Sequence, residues 1–261
     1  MRFLSHRRAL LSFALAAALF AMMLSRSATT SAQVEVNTCG QVYSGDVYLS
    51  ADLDCSGFRD PIYIPEFEGK LIPPTFASTA VLIKHGGTLD LRGHTINVSG
   101  PATPGSEFGV ACLFGNCKIS NGAVTNALVH GVAGDRDVEI GNLTITNSGQ
   151  EGLQANRRAV IVDSIVTGNA GDGVRAGRLA KLSGSTVSGN GENGVGARSI
   201  KLWDSIVTGN STIGLCPSCP NACPDLRSRS RPRLYNSTCG RSLNVRYGCS
   251  GGWRRPVCTG D

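Results

Sequence analysis

Residues 173–195 read GVRAGRLAKLSGSTVSGNGENGV, a stretch that opens and closes on the same Gly-Val step. The step recurs as Gly131-Val132, Gly152-Leu153, Gly173-Val174, Gly194-Val195 and Gly214-Leu215, at spacings of 21, 21, 21 and 20 residues. Twelve residues before each glycine stand Ile119, Ile140, Ile161, Leu182 and Leu202. Seven before stand Val124, Ile145, Val166, Val187 and Val207, and six before stand Thr125, Thr146, Thr167, Ser188 and Thr208. Columns that hold register over five periods are the mark of a repeat architecture. Each repeat holds strands too short to bury an apolar face alone, so repeats must stack, at about 4.8 Å, with every backbone group paired above and below. The expected fold class is all-β: a right-handed parallel β-helix, a solenoid of ~21-residue coils. Glycine at the foot of each column is expected to supply a positive-φ corner.

Outward from the repeat, Val81-Leu82-Ile83 and Leu89-Asp90-Leu91-Arg92-Gly93-His94-Thr95-Ile96 read as an earlier, less regular coil. A loop rich in Pro and Gly follows at about 100–110. The expected organisation is an export signal over 1–32, an N-terminal cap over 33–80, the repeat over 81–215 and a disulfide-rich basic tail over 216–261. Arg2, Arg7 and Arg8 followed by the apolar run Leu10–Leu24 and Ser31-Ala32 form the signal pattern. The apolar run is short for a membrane span, so no span is expected in the mature chain. Secretion or periplasmic export is the expected localisation.

Ten cysteines follow the signal: Cys39, Cys55, Cys112, Cys117, Cys216, Cys219, Cys223, Cys239, Cys249 and Cys258. In an exported chain they read first as disulfides. Cys39 with Cys55 would staple the cap and Cys112 with Cys117 would close a small loop. The six in the tail allow many pairings, and Cys216-x-x-Cys219 also suits zinc. The charge is uneven. Residues 34–215 carry 13 basic and 17 acidic groups, a net −4, whereas 216–261 carry eight arginines against Asp225 and Asp261, a net +6. A basic, cysteine-rich tail on an acidic body points to an anionic partner.

The Gly-Val ladder and the Leu-Asp-Leu-Arg-Gly-His-Thr-Ile stretch resemble secreted right-handed β-helix repeat proteins of the pectin-lyase-like superfamily, over roughly residues 80–215. That group includes pectate lyases, polygalacturonases, alginate epimerases, tailspikes and adhesins. The resemblance implies fold more than function. The acidic pairs, Gly-His-Gly and Arg-Ile-Lys of polygalacturonases and the aspartate-proline-histidine motif of mannuronan epimerases do not occur here.

Three outward features carry the chemistry. A polar column, His130, Glu151, Asp172 and Asn193, stands immediately before the ladder glycines, with Gln154 and Arg175 two residues beyond theirs. Stacked carboxylates repel, which raises one pKa or recruits a cation, with calcium possible. By the resemblance, Glu151 and Asp172 would neutralise a uronate carboxylate and Arg175 or His130 would take the C5 proton. The bland reading of the same column is turn chemistry at Asp-Gly and Asn-Gly. An arginine ladder, Arg136, Arg157, Arg178 and Arg198, lies sixteen residues before successive glycines and suits a linear polyanion, with Asp135, Asp137 and Asp163 offsetting part of its charge. The outward pairs Thr144-x-Thr146 and Thr186-x-Ser188 form a threonine array like that of ice-binding proteins, interrupted by Ala123, Ile165 and Ile206. Asn97, Asn142, Asn210 and Asn236 head glycosylation sequons. With 6% aromatics, nucleic acid is not an expected partner. The expected function is binding of an extracellular or cell-wall polysaccharide, anionic in preference. The alternatives are a polysaccharide lyase or uronate C5-epimerase, and an adhesive solenoid. The sequence leaves the oligomeric state open.

Overall fold

The computed structural model describes residues 33–60, 78–99, 106–210, 224–244 and 257–259. The stretch 1–32 read as an export signal, the Gly214-Leu215 step, Cys216, Cys219, Cys223 and Cys249 lie outside them. The described residues of the unit Gln33–Asp261 form twenty strands and no helix. Every strand pairing is parallel. The strands stack into three walls. The first runs from Gln41–Leu49 through Thr79–Asp90, Phe108–Leu113, His130–Gly134, Leu153–Ala155, Val174–Ser183 and Val195–Trp203 to Leu226–Ser228 and Ser242–Asn244. The second begins at Val34–Val36 and ends at Arg233–Tyr235. The third runs from Leu53–Asp54 to Thr238–Cys239. Long strands such as Val138–Thr146 and Val174–Ser183 bend from one wall into the next, so all twenty strands join one hydrogen-bonded sheet.

This corrects the expected architecture. In place of the expected open right-handed parallel β-helix of pectin-lyase-like type, the strands make one closed, barrel-like parallel β-structure around a shared core. Val34–Val36, Gln41–Leu49 and Leu53–Asp54 pair directly with later strands, and so do Leu226–Ser228 and Arg233–Tyr235. The 21-residue period marks only those turns that share the Gly-aliphatic step. Flanking turns bury the same alternate positions at other spacings: Gln41 sits beside Val81, Val195 beside Leu226 and Leu226 beside Ser242. A period search sees the regular middle and misses such ends.

The aligned columns fill the interior. Leu89, Ile119, Ile140, Ile161, Leu182 and Leu202 pair in sequence along the second wall, and Val124, Ile145, Val166, Val187 and Val207 along the third. All are fully buried. Each such aliphatic chain contributes roughly 1.5–3 kcal/mol by leaving water. Polar ladders close the corners. The amides of Asn169, Asn190 and Asn210 each donate to the next coil, ending on the Asp225 carboxylate, and the hydroxyls of Ser164, Ser185, Ser205 and Ser237 each accept a backbone N–H from the coil before.

The ladder glycines serve a different purpose from the expected corner. Gly131, Gly152, Gly173 and Gly194 do not have positive φ; a Cβ at Gly152 would meet Val166 Cγ1 at 2.6 Å and Gly173 O at 2.8 Å. They permit close approach of a valine and the next coil. Positive φ falls instead on Asn121, Asn142, Asp163, Gly184, Asp204 and Asn236 at one corner. These residue types tolerate the left-handed region. Cys39–Cys55 and Cys112–Cys117 are disulfides, as the sequence led one to expect, and Cys239–Cys258 is a third.

Candidate functional site

The polar column sits at the start of the first wall, where each turn enters its strand, and its side chains are buried rather than solvated. His130 is 8% exposed, Glu151 7%, Asp172 3% and Asn193 1%. Burial this deep demands partners. Glu151 has two: Arg175 Nη1 donates to its Oε1 at 2.7 Å, and His130 Nδ1 lies 3.0 Å from its Oε2, close enough to pair but off line for a hydrogen bond. Burial pushes the Glu151 carboxyl up, yet His130 and Arg175 outweigh it and hold the pKa down at about 2. Its charge is committed.

Asp172 differs. Its Oδ1 accepts both the backbone N–H of Asn193, at 3.0 Å, and the Asn193 amide, at 2.6 Å. Its Oδ2 has no hydrogen-bond donor among the described residues. Burial raises the Asp172 pKa to about 6; the Asn193 bonds oppose this, and the charges of Glu151 and Glu192 add to it. The stacked carboxylates therefore part company, one strongly acidic and one near neutrality. A second column of the same wall explains the access to Oδ2. Gln154, Arg175, Gly196 and Arg227 stack in register, and a Cβ on Gly196 would stand 3.2 Å from Asp172 Oδ2. Glycine leaves a gap between two arginines, and the carboxyl borders it.

That gap belongs to a groove of about 450 Å³ lined by Asp172, Arg175, Gly196, Arg198, Arg227 and Arg229, among others. Four arginines thus share its lining with one acid. Arg227 and Arg229 come from the region read as a tail, and only their place in the first wall and its corner brings them here. A slightly larger groove, about 500 Å³, lies on the second wall beside Lys118, Asp137, Glu139 and Arg158. Its charges are already matched, Lys118 with Glu139 at 2.9 Å and Arg158 with Asp137.

No family model matches the chain, and no curated protein matches it. Among solved structures, the A-module of the Azotobacter vinelandii mannuronan C-5 epimerase AlgE6 is similar at 12% identity. The match covers 77% of this chain and 72% of that one, with a TM-score of 0.29.

The arginine ladder forms the corner between the first and second walls. Arg157 N donates to Arg136 O at 3.1 Å and Arg178 N to Arg157 O at 2.8 Å, while Arg198 O accepts from Arg229 N at 3.2 Å. Arg229 is therefore a further rung. All five side chains are exposed. Of the acids expected to offset them, Asp137 is held by Arg158 and lies 3.9 Å from Arg157 Nε, and Asp135 accepts from Phe114 N. Asp163 sits at the opposite corner, beside Gly184. The charge of the ladder is thus offset at its N-terminal end and left open where it meets the groove. Glu151 and Asp172 do not converge on a calcium site: no group of three or more His, Cys, Asp or Glu suited to a metal occurs among the described residues. The threonine array lies on the third wall, where Ala123, Thr144, Ile165, Thr186 and Ile206 share an outward column with Ile165 and Ile206 about half exposed.

Proposed function

We propose that this chain binds an anionic polysaccharide, secreted or periplasmic, along the edge where the arginine corner meets the groove at Asp172. The supporting observation is the charge pattern of that groove: Arg175, Arg198, Arg227 and Arg229 line it with Asp172 as the facing acid. Guanidinium groups at coil spacing suit carboxylates or sulfates that repeat along a chain. Three disulfides fit an oxidising compartment, and no described helix is long and apolar enough to cross a membrane. Replacing Arg178, Arg198, Arg227 and Arg229 together by alanine is expected to weaken retardation in gels cast with polygalacturonate, alginate or heparin, with circular dichroism unchanged. Unchanged retardation would sink this reading.

A second reading, a uronate lyase or C5-epimerase, is favoured by the Asp172 carboxyl. An acid near pKa 6 with a bare Oδ2 at the mouth of an arginine-lined groove suits proton abstraction next to a neutralised carboxylate. In this reading Asp172 takes the base role, and Arg175 and Arg227 hold the sugar carboxylate; Glu151, held between His130 and Arg175, orients Arg175. Unsaturated product absorbing near ~235 nm, or proton exchange at C5, identifies the chemistry. Retardation without either leaves a binding protein.

A further inference from the structure

On the outer face of the second wall, two neighbouring columns change character toward the C-terminal end. One reads Gly141, Val162 and Ser183 and then Trp203 and Tyr235. The other begins with the matched pair Lys118 and Glu139 and ends with Lys181, Lys201 and Arg233 in adjacent strands. No acid partner reaches those three among the described residues. Like charges set about 4.8 Å apart across paired strands repel. The aromatic pair beside them is ordered: ring centroids lie 5.2 Å apart and 11° from parallel, with Lys181 Nζ 5.2 Å from the Trp203 ring centroid. Tyr235 is 47% exposed. On this wall Arg233–Tyr235 pairs only with Val195–Trp203 among the described strands, so no described strand covers the far side of the Tyr235 ring.

We propose that the Trp203–Tyr235 stack, with Lys181, Lys201 and Arg233, is a binding site for an anionic sugar. The apolar face of the sugar ring packs on the exposed aromatic surface, and a carboxylate or sulfate meets the cations. The corner next to the rings adds polar partners for hydroxyls, Asp204 and Asn236, which hydrogen-bond each other at 2.6 Å. A nucleic-acid strand is the poorer fit. It needs successive stacking platforms, whereas this column offers two rings and then Ser183 and Val162, and Asp204 opposes a phosphate backbone. The site lies on a different wall from the Asp172 groove and uses none of its residues, although it takes the same class of ligand.

The chain has two tryptophans, Trp203 and Trp253, so Trp253→Phe leaves Trp203 as the fluorescence reporter. Titration of that protein with a short oligogalacturonate or a short heparin fragment is expected to quench or shift its emission saturably. Tyr235→Ala and Lys201→Glu should each weaken the apparent Kd by about tenfold or more. Tyr235→Phe, which keeps the ring, should bind as before, and so guards against a mere folding defect. Arg175→Ala with Arg227→Ala should leave this signal unchanged. Retardation lost in the quadruple arginine variant reads the groove, and Trp203 emission reads this site; retardation that survives that variant and is lost on adding Tyr235→Ala belongs to this site. Unchanged Kd in Tyr235→Ala and Lys201→Glu overturns the proposal. Equal binding of an uncharged oligosaccharide, or tighter binding of single-stranded DNA, overturns it as well.

Discussion

Asp172 is a buried carboxyl whose charge bears on stability. Its folded pKa of about 6 lies above the ~3.9 of an unfolded aspartate. Between those values the native state holds more protons than the unfolded one, so stability falls as pH rises through that window. Below about pH 4 both states are protonated; above about pH 6 the full cost, on the order of 3 kcal/mol, is present. Asp172→Asn keeps the acceptor for Asn193 and removes the charge. Urea unfolding at pH 4, 5 and 7 is expected to show the wild type losing ground to Asp172→Asn, whereas parallel profiles would contradict the buried charge. Glu151 is depressed, so its contribution is present above the usual glutamate range and is lost as pH falls toward 2. That loss begins near the unfolded glutamate value of about 4.3, at the low end of the range tested, but both proteins carry Glu151 and it cancels in the comparison. Gly196 tests the same site sterically. Gly196→Leu places a side chain in the groove from a Cβ 3.2 Å from Asp172 Oδ2. It is expected to reduce polysaccharide retardation with little change in Tm, because Gly196 is partly exposed and does not have positive φ.

At the scale of the strand, the same residue type means opposite things on the two faces. Ile161 is fully buried and Ile165, four residues on, is 47% exposed. Ile161→Ala is expected to cost about 2–5 kcal/mol, the transfer term plus a cavity that neighbouring coils cannot close. Ile165→Ala should fall within about 0.5 kcal/mol of wild type. Denaturant midpoints of the two variants check this, and similar values would mean that the register is wrong by one residue. These inward columns were legible in the sequence because the strand period is 2 and the coil period held at 21. The Asn169–Asn190–Asn210 and Ser164–Ser185–Ser205 ladders carried the same period and were equally visible, but polar residues in a strand-rich repeat read as turns until their burial is known. The role of the ladder glycines was hidden for a related reason. Glycine serves both positive φ and close approach, and only coordinates separate the two.

At the scale of the molecule, the N-terminal strands belong to the closed structure, and Cys39–Cys55 ties their turn. Cys39→Ala with Cys55→Ala is expected to lower stability by roughly 3 kcal/mol, from the loop entropy returned to the unfolded chain. Because these strands pair with Thr79–Asp90 and Thr95–Asn97, the loss should appear as one cooperative transition in calorimetry. A separate low-temperature transition for the N-terminal region would show it to be an independent cap.

The sequence by itself determined the all-β character, the inward columns, two of the disulfides and the stacking of His130, Glu151, Asp172 and Asn193. Each follows from local period and spacing, which are properties of the chain alone. Where the repeat ends, which carboxyl keeps its proton, and the meeting of Arg175 with Arg227 and Arg229 were decided only by the tertiary structure. Those depend on side chains from turns of unequal length arriving at one place, and on the burial that follows when they do. Gly196 opens the groove only because Asp172 lies under it and arginines stand on either side.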